Sequence, residues 1–179
     1  VHPSIAYGGG LRSGTRRLAL TSARSATAVT VATEWMRTHV QAAGARVTDV
    51  IPLGADTELF TPASLADPLS LVHVAGLNRV KDQDLLLQAM ALVVAEEPRA
   101  TLTIAGGDTL GGHHERLAAS LGLADHVRFL GHVEHDVLPS VLQGAAVHML
   151  TSRHDAGPVA VLEAAACGVP TIGTDVGHV

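Results

Sequence analysis

Two carboxylates, Asp155 and Glu163, stand eight positions apart in the segment HDAGPVAVLEAAACGVP at residues 154–170, and a Gly-Pro step lies between them. Pro158 suits the first turn of a helix, where its missing N–H would find no intrahelical partner anyway, and Gly157 can serve as the cap. The pattern predicts a helix over Val159–Ala166, stopped by Gly168 and Pro170. The free N–H groups near residues 157–160, with the helix dipole, form an anion site worth about 0.3–1 kcal/mol per phosphate charge when exposed. Glu163 falls one turn beyond Val159 on the same side of that helix. A carboxylate there cannot bind a phosphate but can accept two hydroxyl hydrogen bonds from a ribose. Asp155, ahead of the helix, can reach a sugar on the other side of the phosphates. Residues 155–159 (Asp155, Ala156, Gly157, Pro158, Val159) and Glu163 thus suit a ligand built as sugar, diphosphate and ribose. Glu163 as a surface residue and Asp155 as a plain helix-start acid fit the same spacing, so spacing alone leaves both readings open.

A second set of charges lies in GLNRVKD at 76–82, where Arg79 and Lys81 follow a candidate strand. They can neutralise a diphosphate, or be a pair of solvated loop charges.

These loops need a frame. Short β-branched runs at 28–32, 47–51, 71–75, 101–105, 127–130, 146–150 and 170–174 read as strands. Between them, Ala- and Leu-rich periodic runs near 12–25, 34–44, 83–96, 113–121, 135–144 and 158–167 read as helices. Such alternation predicts an α/β fold of parallel strands joined by right-handed helical crossovers. Several strands lack in-out alternation, as strands covered on both faces should. Residues 52–68, PLGADTELFTPASLADP, carry three Pro and no period. They are expected to link a partial α/β unit at 1–51 to a more complete one at 69–179. Ligands of doubly wound sheets bind beyond the carboxyl ends of the strands. The informative loops are therefore 76–82, 106–112, 131–136 and 151–158, where Gly76, Gly106 and Gly131 let backbone come close to a ligand.

The chain as a whole sets limits. Its 179 residues are 47% hydrophobic and 16% charged, enough to bury a core. Aromatics make up only 2%, which leaves little for stacking on bases or for a sugar-binding platform. The net charge of −5 argues against a nucleic-acid binder. Residues 1–33 hold Arg12, Arg16, Arg17 and Arg24 and no acid, so they carry +4 and the remainder −9. That basic segment can meet anionic lipid as a peripheral contact at the inner membrane face, or simply be a solvated helix face. The single Cys167 excludes an internal disulfide, fits a reducing cytoplasmic compartment and reads as a small buried hydrophobe. No apolar run of membrane-spanning length and no signal peptide is visible. The chain has no starting Met and ends at Gly177-His178-Val179, where a βα loop should continue, so both ends are expected to be truncated.

With these residues in view, four segments resemble the retaining glycosyltransferases of family 4 (glycosyl transferases group 1), which have the GT-B architecture of two Rossmann-like domains facing a cleft. VIPLGADTELFTP (50–62) is similar to the family's interdomain segment. HVAGLNRVKDQDLLLQAM (73–90) and LTIAGGD…HVRFLGHV (102–133) are similar to its next two motifs. LTSRHDAGPVAVLEAAACGVPTIGTDVG (150–177) is similar to its paired-acid motif. The resemblance covers about residues 25–179. It implies one nearly complete donor-binding domain at 69–179, the end of an acceptor domain at 1–51 and a linker at 52–68. It implies transfer of a hexose, with retention, from a UDP- or GDP-hexose to an unknown glycan, lipid or small-molecule acceptor, with no metal or other cofactor required.

By that resemblance Asp155 lies near the donor sugar, Glu163 on the ribose and the helix amides on the distal phosphate. Lys81 stabilises the leaving diphosphate, and the base contacts come from Gly131, His132 and Val133. Gly76, Arg79 and Gly106 complete the expected donor site, with Asp155 and Lys81 as its catalytic residues. Three departures stand out. The family's first acid is usually Glu, one methylene longer than Asp155; its Arg is replaced by Gly76; and most of the acceptor domain is missing. The chain alone would bind donor without transferring it. A non-catalytic nucleotide-sugar-binding module and another GT-B enzyme, such as a nucleotide-sugar epimerase, are the alternatives.

Other motifs fail. Gly106 and Gly111 have P-loop spacing, but Gly112-His113 replaces the required Lys-Ser/Thr. No Gly-x-Gly-x-x-Gly joins a strand to a helix, and no Gly-x-Ser-x-Gly surrounds Ser152. Asp82-Gln83-Asp84 spells the Asp-x-Asp of metal-dependent transferases, yet Asp82 is expected to cap the next helix. Of eleven His, only His113-His114 and His132-x-x-His135 cluster, neither at i, i+4 on one helix and neither with Cys, so no metal site is expected.

Overall fold

The computed structural model describes residues 13–64 and 66–176, apart from the side chains of Ser13, Thr15 and Arg16. Arg12 and the Arg16 side chain of the basic segment, and Gly177 at the end of the last motif, lie outside the described residues. The chain divides into two compact units. The first takes the residues up to Gly54, the segment His154–Pro158 and the segment beginning at Asp175; the second takes Ala55–Arg153 and Val159–Thr174.

In the first unit, helix α1 (Ser13–Ser25) precedes β1 (Thr30–Val31), α2 (Glu34–Ala42) and β2 (Asp49–Val50). The two strands pair in parallel. Thr33 starts α2 because its extended backbone lets Oγ1 accept from the Met36 N–H at 3.1 Å. Val31, Met36, Val40, Ala45 and Val47 form the core, and Ala156 from the returning segment packs against it. The Thr33 hydroxyl also donates to the Ala156 carbonyl at 3.1 Å, which fixes that segment.

The second unit holds β3 (Ser70–Val74), α3 (Gln83–Glu96), β4 (Thr101–Ala105), α4 (His113–Ser120), β5 (Val127–Gly131), α5 (Leu138–Gln143), β6 (Val147–Leu150), α6 (Val159–Ala166) and β7 (Thr171–Gly173). Its five strands are all parallel in the order β5-β4-β3-β6-β7. The order reverses between β3 and β6, and such a reversal opens a crevice beyond the strand ends. Two cores cover the two faces. Leu86, Leu87 and Met90 of α3 and Ala118 of α4 pack on Leu102 and Ile104. On the other face Leu142, Ala164 and Cys167 pack around Val72. Cys167 is buried, and burial pushes its thiol pKa up, as for an inert small hydrophobe.

Among its described residues the segment 52–68 has neither helix nor strand, yet it is anchored. Asp56 accepts from the N–H groups of Glu58 and Leu59 at 2.9 and 3.2 Å, which makes a turn. That turn delivers Phe60, 1% exposed, into the second core. The compact unit accordingly begins at Ala55, ahead of the first strand of its sheet.

Two histidines lie inside the sheet. His73 on β3 and His148 on β6 are both 0% exposed. The Nδ1 of His73 donates to the Met149 carbonyl at 2.8 Å, and its Nε2 accepts from the Gln83 amide at 3.2 Å, so the ring is satisfied in its neutral form. Burial pushes the His73 pKa down to about 4, outweighing the opposing pull of the Met149 carbonyl. Burial, reinforced by His73, pushes His148 down to about 4 as well. Below pH 6.5 the unfolded imidazoles take up protons that the folded ones refuse. Stability is therefore expected to fall as pH drops from about 6.5 to about 4, by on the order of 2 kcal/mol per histidine between pH 7 and pH 5. Urea denaturation at the two pH values measures this, and a His148→Gln variant should lose about half the dependence.

Glycine is enforced at one strand exit. A Cβ on Gly106 would lie 1.9 Å from the carbonyl oxygen of Ala75, on fixed backbone. Gly106→Ala is expected to cost upward of about 3 kcal/mol in urea denaturation, whereas Gly54→Ala, with nothing within 4 Å, should not.

Candidate functional site

The loop after β3 is locked from beneath. Gln83, 0% exposed at the start of α3, donates from its amide to His73 Nε2 and to the Gly76 carbonyl at 3.1 Å, and its Oε1 accepts from the Asn78 N–H at 3.3 Å. Asn78 then turns the chain. Its Oδ1 accepts from the N–H groups of Val80 and Lys81 at 3.0 and 3.2 Å, and its amide donates to the Gly76 carbonyl at 3.1 Å. The Lys81 carbonyl accepts from the Thr151 hydroxyl at 3.0 Å, and the Val80 carbonyl from the Arg153 N–H at 2.8 Å. The exits of β3 and β6 are thus stitched together where the strand order reverses, and the backbone of Lys81 is held in the stitch.

Asp82 does not cap α3 with its side chain. It sits at the N-cap position in the left-handed conformation, φ 50°, the only non-glycine with positive φ among the described residues. Its carboxylate instead holds Arg153 Nε at 2.6 Å. The backbone carbonyl of Asp82 accepts from Leu85 and Leu86 and starts the helix. The expected cap is lost because an extended N-cap backbone, which aims the side chain at the N2 and N3 amides, is not available here.

Around Gly106 the backbone approaches its own neighbour rather than open space, so that glycine is explained by packing against Ala75. Asp108 Oδ1 accepts from Leu110 N–H at 2.8 Å and Oδ2 from Gly112 N–H at 2.5 Å, which hold its carboxyl below the usual range. Two amides of the 106–112 loop, those of Gly112 and Leu110, are thus engaged by a carboxylate, unlike those of a phosphate cradle. Gly76 differs: its φ is not in the left-handed region, and a Cβ there would make only ordinary contacts at 3.8 and 3.9 Å.

Helix α6 spans Val159–Ala166, as the sequence predicts, and ends on Gly168 at φ 77°. Glu163 is 6% exposed, which removes the surface reading. Its Oε1 meets His135 Nε2 at 3.1 Å, and the His135 ring packs edge-on to Phe60 at 5.2 Å. A buried carboxylate needs such a partner. The sequence offers His135 only within a His-x-x-His cluster, because its meeting with Glu163 depends on how α6 packs beside the β5 exit loop. His132 is turned instead to Glu134, 3.6 Å away, with both side chains about three-quarters exposed.

Asp155 and Pro158 belong to the first unit and Val159 and Glu163 to the second. Within the first unit, Asp155 Oδ1 accepts from the Gly157 N–H at 3.4 Å, a long contact. The second unit also contains a cavity of about 430 Å³ lined by Arg79, Asp82, Asp84, His113, Arg116 and Arg153, among others. Of the expected site residues, the structure brings Arg79 to this cavity, joins Lys81 to the β6 loop and sets Glu163 against the β5 loop.

Residues 56–179 match the family described as Glycosyl transferases group 1. A D-inositol 3-phosphate glycosyltransferase of Geodermatophilus obscurus is 32% identical over 151 residues, taking in 74% of this chain and 34% of that protein. A phosphatidylinositol N-acetylglucosaminyltransferase subunit of Arabidopsis thaliana is 31% identical over 133 residues, 73% of this chain and 30% of that protein. The chain spans about a third of the length of these relatives. Among solved structures, Anabaena HepE in complex with UDP-glucose is similar with a TM-score of 0.76 at 26% identity, over 93% of this chain and 50% of that one. The sucrose-phosphate synthase of Thermosynechococcus elongatus has a similar fold, with a TM-score of 0.83 at 24% identity over 98% and 48%. The fold is α/β of the GT-B type, and the match over residues 56–179 places this chain in the glycosyl transferases group 1 family.

Proposed function

We propose that the second unit binds the nucleotide-diphosphate sugar of a retaining hexosyltransferase. The observation that carries this reading is Glu163, a buried carboxylate on α6 that meets a 63%-exposed histidine side chain from the β5 exit loop. His135 can swing into solvent when two ribose hydroxyls replace it, so the carboxylate stays paired with or without ligand. Lys81 supplies the positive charge for the diphosphate, from a backbone already fixed by Asn78 and Thr151. Negative charge grows on that diphosphate as the glycosidic bond breaks, so a preorganised cation there acts on the transition state. The first turn of α6 adds its free amides to the distal phosphate, with Gly157 and Pro158 leading into it. In this reading the 131–133 loop faces the base.

Both UDP- and GDP-hexoses fit this reading, and the UDP-glucose complex of HepE favours the former. The names of the relatives suggest an inositol-phosphate acceptor, free or lipid-borne. A cytoplasmic enzyme that meets the membrane peripherally would suit a lipid-borne acceptor; among the described residues no helix is long and apolar enough to cross one. A second reading, a nucleotide-sugar-binding module without transfer, draws on Gly76, where the position of a family Arg carries no charge.

Calorimetric titration with UDP, GDP, ADP and their glucose conjugates tests the donor site. Glu163→Ala removes two charge-assisted hydrogen bonds and is expected to weaken nucleotide binding roughly ten- to hundred-fold; unchanged affinity would sink the proposal. In the full-length protein, Lys81→Ala should lower kcat far more than it raises KM, as measured by initial rates. Gly76→Arg has room for its Cβ and is expected to tighten diphosphate binding several-fold without loss of thermal stability.

A further inference from the structure

Two histidines and one carboxylate converge at the junction of α3 and α4. His113 Nε2 lies 2.9 Å and His114 Nε2 3.4 Å from the same oxygen, Asp84 Oδ1, and the three ligand atoms all lie within 4.8 Å of one another. The sequence hides this, because Asp84 sits on the first turn of one helix and the His pair on the first turn of another. The fold brings them together by packing α4 beside α3 on one face of the sheet.

His114 is the second observation. Its ring is buried, 2% exposed, and its Nδ1 has no hydrogen-bond partner. Its Nε2 stands off Asp84 Oδ1 at a distance longer than an ordinary hydrogen bond to a carboxylate. The Nε2 of this buried ring faces the carboxylate without closing on it, which leaves room for an ion shared between the two, while the unpaired Nδ1 is the ring's other nitrogen. Ligand atoms bound at about 2.0–2.2 Å around a tetrahedral ion stand roughly 3.3 Å apart, and the two separations to Asp84 Oδ1, 2.9 and 3.4 Å, bracket that value.

We propose that Asp84, His113 and His114 bind a divalent ion of the zinc class, with a fourth position open to an oxygen ligand from the adjoining cavity. The ligand set, two imidazoles and one carboxylate, is the kind that zinc and its neighbours prefer. The cavity of about 430 Å³ gives the entry path. Asp82 and Arg153 on its wall neutralise one another. Arg79 and Arg116 remain on the wall, and they favour an anionic oxygen, such as a phosphate, in the fourth position. The ion clamps the start of α3, and with it Gln83 and the loop it locks, to the start of α4. It is placed to stiffen that loop rather than to touch a reacting atom.

The test uses the untagged full chain stripped with a chelator, and it is independent of any nucleotide. Co²⁺ is titrated while the visible absorption of a tetrahedral centre is followed, and Zn²⁺ by calorimetry with thermal unfolding as a second readout. The expected result is one saturable equivalent, a tetrahedral Co²⁺ spectrum and a rise in Tm with Zn²⁺. Asp84→Asn and His113→Ala, both at partly exposed side chains and checked for folding by circular dichroism, should each weaken binding at least tenfold and abolish the Tm rise. His132→Ala and His135→Ala should leave both unchanged. The proposal is overturned if no one-equivalent binding is found, if Asp84→Asn and His113→Ala bind like the parent, or if the binding is lost in His132→Ala or His135→Ala instead.

Discussion

The second unit depends on one buried contact, the pairing of Gln83 with His73. A neutral imidazole inside a parallel sheet must find both a donor and an acceptor or lose stability. His73 finds its acceptor in the Met149 carbonyl on the neighbouring strand and its donor in the Gln83 amide on the following helix. Gln83 has polar capacity left over, and it uses this on the Gly76 carbonyl and the Asn78 N–H. The requirement of one ring in the sheet therefore dictates the path of the loop that carries Lys81. The same ring couples β3 to β6, the two strands that flank the reversal in strand order.

Loop shape follows from this in layers. Asn78 closes the turn, Thr151 and Arg153 tie it to the next strand exit, and Asp82 takes a left-handed backbone to pass into α3. The neighbouring exit, after β4, is held by Gly106 against Ala75 and by Asp108 against its own loop amides. A diphosphate would then meet groups whose positions do not wait for it, and less reorganisation is needed on binding. Glu163 is treated differently, since its partner is an exposed ring on a surface loop. The ribose end of the proposed site is exchangeable where the phosphate end is fixed.

The sequence carried the periodic features well. Strands and helices fall where β-branched and Ala-rich runs predict them, and α6 has the bounds that Pro158 and Gly168 imply, because these signals are local. Family membership was legible in the order of four motifs. What could not be read were contacts made across the fold. Nothing local tells that His135 closes on Glu163, or that Asp84 meets His113 and His114, since register and helix packing decide both. Asp82 misled for a related reason. Its residue type suits an N-cap, but the cap requires an extended backbone, and the stitch to Arg153 imposes another.

The return of His154–Pro158 to the first unit has a consequence for anyone wishing to divide this chain. The second unit is not a continuous stretch of sequence, because the chain leaves it after Arg153 and re-enters at Val159. A gene trimmed at Ala55 would still encode Ala156, but without the Thr33 hydroxyl that bonds its carbonyl or the apolar cluster that covers its methyl group. The five-residue excursion would then have to find new partners just ahead of α6. The region between β6 and α6 thus belongs genetically to one half and energetically to the other, so the two halves cannot be exchanged between relatives as independent modules at the interdomain linker alone.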